Sequence, residues 1–156
     1  MDDFSIELPL SNSYWSDDGI IFVGKESDSD LRRKLQTFAY YFKREFKYDF
    51  TQYREDEHLR SDKKCEGFLF SEFAIDRLEE DQPDPYRLCG GGCFRWRERE
   101  AGEPKWELDW VWLHPFFRHR NLFSSQWALF KDRFGDFGIA QPISADMERF
   151  LKKHSK

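Results

Sequence analysis

The chain has 156 residues, enough for one domain of ordinary size and too few for two complete ones. Lysine and arginine total 25 against 30 aspartate and glutamate, and the resulting net charge of -5 argues against nucleic acid or an anionic membrane as a general partner. Charged residues reach 35%, a fraction also found in disordered chains, but aromatics reach 19% with 17 Phe and 6 Trp, which supplies enough ring surface for a packed core.

Met1 to Leu10 carry acids instead of a basic segment followed by an apolar run, and no uncharged apolar stretch approaches ~20 residues. The expected location is the cytoplasm. Cys65, Cys89 and Cys93 form an odd set, so reduced thiols are expected and a disulfide framework is not.

In chain order, Gly19 to Gly24 reads as a short apolar strand. Ser27 to Asp30 then supply an N-cap and first-turn acids for a helix from about Asp30 to Lys47, with Leu31, Leu35, Phe38, Phe42 and Phe46 forming its apolar stripe. Tyr48 to Lys64 mixes both charges and reads as an exposed helix end or loop. A strand is expected over Gly67 to Phe73 and a turn over Glu79 to Tyr86, where Pro83 and Pro85 fall. Leu88 to Glu98 and Lys105 to His114 follow as a hairpin joined by Arg99 to Pro104. Leu122, Phe123, Trp127, Phe130 and Phe134 keep helical spacing over Asn121 to Phe134, and Gly135 stands where that helix would end. A last strand, Phe137 to Ile143, leads to a helix that Ser144 can cap and that carries Met147, Phe150 and Leu151 on one face. This order describes a single α+β domain with a mixed sheet.

The most informative stretch is Trp106 to Ser125, where a strand passes through His114 and Pro115 into a basic turn and a helix. Exposed backbone N–H groups and the positive helix end there favour an anion such as a diphosphate, and Arg118 and Arg120 add charge beside them. The stretch resembles the signature of the GNAT (general N-acetyltransferase) superfamily: an aliphatic strand end and x-Pro, then Arg/Gln-x-x-Gly-x-Gly/Ala and a helix. Leu113, Pro115, Arg118 and the amphipathic helix match in order and spacing, over roughly Leu88 to Phe150. Asn121 stands in place of the first Gly and Phe123 in place of Gly or Ala. Asn tolerates left-handed backbone, whereas Phe123 adds bulk that has the core as its alternative destination. Cohesion-type acetyltransferases also lack the first glycine.

The resemblance implies a largely antiparallel central sheet flanked by helices, with residues 88–156 binding acetyl-CoA as cosubstrate and residues 1–87 forming the acceptor side. It implies that backbone of Val111, Trp112 and Leu113 runs beside the pantetheine arm, while Arg118, His119, Arg120, Asn121, Leu122, Phe123 and Ser124 wrap the diphosphate. The partners so implied are acetyl-CoA and an amine, small or protein-borne, with room for a homodimer.

On a regular strand Glu107, Asp109, Val111 and Leu113 share one face, and Trp106, Leu108, Trp110 and Trp112 share the other as core. Counted back from Arg118, Glu107 falls where histone-type members keep the glutamate that takes the amine proton through water. A carboxylate among apolar neighbours suits a base working near neutrality, with Asp109 in reserve and a salt-bridged strand acid as the other reading of both. The family's tyrosine acid has no match, since no Tyr follows Tyr86; Ser144 is its substitute, and helix capping is the simpler role for that residue.

Cys89 and Cys93, with Cys65 and His58 upstream, have residue types suited to zinc, but their spacing lies across a strand and no metal is expected. The glycines between them are expected to mark a bulge or a close backbone approach at a strand start. His114 and His119 read as strand-end packing or solvent-facing residues. A non-catalytic module that keeps the fold and binds a protein partner is the rival reading.

Overall fold

The computed structural model describes residues 10–11, 19–49, 51–54, 56, 64–73, 86–97, 104–115, 118, 122–140 and 145–154. Their elements are β1 (Leu10–Ser11), β2 (Ile20–Val23), α1 (Ser29–Phe46), β3 (Cys65–Phe73), β4 (Tyr86–Arg97), β5 (Lys105–Leu113), α2 (Leu122–Ser125), α3 (Trp127–Phe134), β6 (Gly138–Ile139) and α4 (Ala145–His154).

The strands form one sheet in the order β2-β3-β4-β5-β6, with β1 pairing the start of β4. Every pairing is antiparallel except β5 with β6, which is parallel. Long polar connections separate β3 from β4 and β4 from β5, yet strands β2 to β5 lie in chain order across the sheet, as expected for hairpin-linked neighbours.

Helix α1 covers one face. Ser27 Oγ accepts from Gly24 N–H at 2.9 Å and shapes the turn before the helix, and Lys47 ends it in a left-handed conformation (φ 60°) with its N–H bonded to Lys43 O. Leu31, Leu35 and Phe38 are buried on the sheet, as the periodicity requires, while Phe46 at the end of the stripe is 40% exposed. The helix lies close because β3 and β4 carry glycines under it. A Cβ on Gly67 would stand 2.3 Å from Leu35 Cδ2, and one on Gly91 would meet Leu35 Cδ1 at 2.9 Å and Phe68 O at 2.5 Å. The glycines expected to mark a close approach do so, although they lie well inside β4.

Helix α3 covers the opposite face. Phe68, Phe94, Phe123, Phe130 and Phe134 form a continuous ring cluster, with Phe94 stacked on Phe134 at 3.9 Å between centroids. Arg133 Nε donates to Glu66 Oε1 at 2.7 Å and ties α3 to β3.

Several sequence expectations change. The helix expected over Asn121 to Phe134 is two helices broken at Gln126, and Gly135 (φ 69°) ends the second as expected. The strand expected over Phe137 to Ile143 is Gly138–Ile139 among the described residues. Within the polar stretch after α1, Tyr53 is fully buried, so that segment also covers core. His58, His119, Arg120, Asn121 and Ser144 lie outside the described residues.

Candidate functional site

Strand β5 does not keep one alternation along its length. Its pairing with β4 shifts register between Cys93 and Phe94: Cys93 is opposite Trp110 and Phe94 opposite Leu108, which leaves Asp109 as an extra residue. Side chains on either side of this bulge therefore change face. Trp106 packs edge-on to Phe134 under α3, whereas Trp110 meets Phe42 and Trp112 meets Phe38 and Tyr41 under α1. The four residues expected to share one core face are thus split, because strict two-residue alternation holds only in an unbulged strand.

The bulge coincides with the point where β5 and β6 part. Glu107 is paired with Gly138 and Leu108 with Ile139, and Ala140 N–H donates to Leu108 O at 2.9 Å. Beyond that bond β5 runs on to Leu113 with no strand partner on this edge among the described residues. A cavity of about 340 Å³ opens at the fork. Leu108 to Val111 of β5, Ile139 of β6 and Ala140 just after it, Met147 of α4, and Phe42, Phe46, Lys47 and Tyr48 at the end of α1 line it.

No family model matches this chain, and neither does any curated protein. Solved structures do match in shape. An aminoglycoside acetyltransferase from an uncultured soil metagenomic sample, in complex with trehalose, aligns with a TM-score of 0.53 at 11% identity over 88% of this chain and 86% of its own. The acetyltransferase domain of xEco2, bound to a K105-CoA conjugate, aligns with a TM-score of 0.54 at 12% identity over 86% of each chain. The chain has the GNAT fold. At 11 to 12% identity the likeness is one of architecture.

On this GNAT frame Glu107 and Asp109 are held differently. Asp109 reaches the cavity wall, but Oδ2 accepts from Arg95 Nε at 2.8 Å and Oδ1 from Arg97 Nη2 at 3.1 Å. Arg95 also donates to Gln52 O at 2.7 Å, which draws the segment after α1 onto the bulge. Glu107 is only 8% exposed and is not among the residues lining the cavity, and its Oε1 is 3.8 Å from Arg97 Nε. The two carboxylates and two guanidiniums make a near-neutral group beneath the cavity, with Asp109 fixed by two donors. Arg95 and Arg97 escaped the sequence reading, although their spacing opposite Glu107 and Asp109 in a hairpin was a usable signal.

The described residues of the stretch that resembles the GNAT signature are held as follows. Arg118 does not stand free in solvent: its guanidinium forms a two-pronged pair with Glu45 of α1, and Nε donates to Leu113 O at 2.8 Å. Trp112 Nε1 donates to the same Glu45 at 2.9 Å, and Arg118 lies over the Trp112 ring. Glu45 therefore joins α1 to the strand end and to the turn after it. No sequence pattern identified Glu45, since its partner is 73 residues away. Phe123 takes its core destination, packed on Phe70, Trp127, Phe130 and Phe150. Val111 and Leu113 are half-buried along the part of β5 beyond β6, Trp112 between them is buried, and Leu122 and Ser124 belong to the short α2.

The thiols are not poised for chemistry. Cys89 and Cys93 are buried and free, and burial pushes both well above the usual thiol range, aided by Glu72 beside Cys89 and by Cys65 beside Cys93.

Proposed function

We propose that this chain transfers an acetyl group from acetyl-CoA to an amine by direct attack within a ternary complex. The observation that carries the reading is the fork between β5 and β6, with a bulge and a cavity at its base. The stretch of β5 that runs past β6, with no strand partner on that edge among the described residues, suits the pantetheine arm, whose amides can hydrogen-bond like an added strand to backbone along Val111, Trp112 and Leu113. The turn from Arg118 to Ser124 would carry the diphosphate, Arg118 exchanging Glu45 for phosphate. The CoA conjugate of the xEco2 domain supports that ligand class.

In this reading the amine nitrogen attacks the thioester carbonyl carbon, Glu107 takes the amine proton through a water, and the C–S bond breaks. The departing thiolate takes a proton from solvent. Asp109 stays bound to Arg95 and Arg97 and holds the bulge. The acceptor of the aminoglycoside enzyme is not carried over, because a fold shared at 11% identity fixes no acceptor.

A second reading, a non-catalytic module for a protein partner, is favoured by Arg118 being held by Glu45 and by Phe123 filling core where the signature has a small residue. Calorimetric titration with acetyl-CoA separates the two. The transferase reading expects binding and a raised melting temperature, about 2.7 kcal/mol of stabilisation at a hundredfold excess over Kd. No heat and no shift at millimolar acetyl-CoA would leave the module.

A further inference from the structure

The cavity wall restricts which amine fits, and the argument rests on the acetyl-transfer reading above. We infer that the acceptor is a small amine carrying a single aromatic or apolar body, of the arylalkylamine kind, and not a polycationic amine.

Size sets the first limit. Ligand sites commonly occupy roughly 300 to 1,000 Å³, and this cavity of about 340 Å³ lies at the small end, with room for one ring and a short amine arm. The lining sets the second. Phe42 is the hub of a ring cluster, with centroids 5.0 Å from Phe46, 5.3 Å from Tyr48 and 5.8 Å from Trp110. Such faces hold an aromatic body by burial and attract an arriving ammonium through their electron-rich surfaces. Met147 adds a flexible apolar contact.

Charge sets the third limit. Among the described residues Asp109 is the one acid on the wall, and both its oxygens already accept from Arg95 and Arg97. Lys47 adds a positive charge to the same wall. A polyamine entering here would surrender hydration at several ammonium groups, with the Asp109 carboxylate already engaged by two guanidiniums and Glu107 serving the reacting nitrogen alone. A monoamine has one such group, and it becomes neutral at the fork, where the proton leaves.

The test is calorimetry on the full chain saturated with CoA, which completes the site without permitting turnover. The titrants are 2-phenylethylamine and spermidine. Phenylethylamine should bind at least tenfold more tightly than spermidine. Phe46→Ala, at a rim position 40% exposed and therefore tolerant of truncation, should weaken phenylethylamine about tenfold and leave CoA affinity unchanged. Spermidine binding as well or better, or Phe46→Ala without effect, overturns the inference. Competition supplies a further check: octanoyl-CoA displacing phenylethylamine where acetyl-CoA does not would give the cavity to a long acyl chain. If CoA itself fails to bind, the titrations are repeated without it. Ring-amine binding that survives and still depends on Phe46 then preserves the cavity assignment while the transferase reading falls.

Discussion

Glu107 and Asp109 are two residues apart on one strand, and the bulge gives them unequal neighbours. Asp109 accepts from two guanidiniums, while Glu107 is paired with Gly138 at the base of the fork and stands 3.8 Å from Arg97. An alkylamine with a pKa of about 10.4 is mostly protonated at neutral pH, so direct transfer needs a proton acceptor. Glu107→Gln should therefore lower kcat by ~10²- to 10⁴-fold with acetyl-CoA affinity nearly unchanged, and raising the pH should partly restore the rate. Asp109→Asn should chiefly lower the melting temperature, because it weakens the bonds to Arg95 and Arg97. The reverse pattern, with Asp109→Asn abolishing turnover in a stable protein, would move the base two residues along.

The buried thiols make a separate prediction. Burial raises Cys89 and Cys93 above their usual value of 9.0, so the folded state keeps its thiol protons at pH values where the unfolded chain releases them. Their contribution is fully present below about pH 9 and falls away as the pH rises beyond it. Urea midpoints taken from pH 8 to pH 10 should fall, and should fall less steeply in Cys89→Ala and Cys93→Ala variants. Parallel slopes in all three proteins would contradict the assignment.

At the level of elements, the helices and strands that have one dry face were legible in the sequence. The α1 stripe from Leu31 to Phe38, the hairpin of β4 and β5, and the glycine end of α3 follow from periodicity and turn chemistry. Three features were not. A bulge leaves no mark in a strand whose residues suit both faces, and β5 has large rings at Trp106, Trp110 and Trp112 wherever the phase falls. The break at Gln126 interrupts a segment whose apolar spacing continues through it. Glu45 had no local partner to reveal it. The fold was thus readable where it follows the strand-turn-helix order, and the contacts around the candidate site were hidden where they join distant segments.

Phe123 illustrates how an element can trade one role for another. In the signature its position is small, whereas here its ring is 8% exposed and packs against four other rings. Phe123→Ala should destabilise the fold by about 3–5 kcal/mol, the usual cost of emptying a buried aromatic site. Chemical denaturation measures this directly. A loss below 1 kcal/mol would mean that α2 closes over the gap and that the ring is not core.

For the whole molecule, both faces of the sheet are closed by aromatic clusters, and the two helix layers attach in different ways. Helix α3 follows β5 closely in the chain, while α1 must reach β4 and β5 across the intervening strands. Glu45, holding Arg118 and Trp112, is the polar end of that longer attachment. Its consequence concerns time as well as structure. Contacts between segments far apart in sequence tend to form late, since the chain between them must be ordered first. Hairpin-linked strands can pair before α1 settles, so the Glu45 clamp should be absent from the rate-limiting barrier and present only after it. Glu45→Gln should then leave the refolding rate nearly unchanged and speed unfolding by roughly the full loss of stability, about 1–3 kcal/mol for donors left short of a partner. Stopped-flow refolding slowed as much as unfolding is accelerated would place α1 docking early. With the expected outcome, Glu45 sets how long a folded molecule lasts, and hardly touches how quickly it forms.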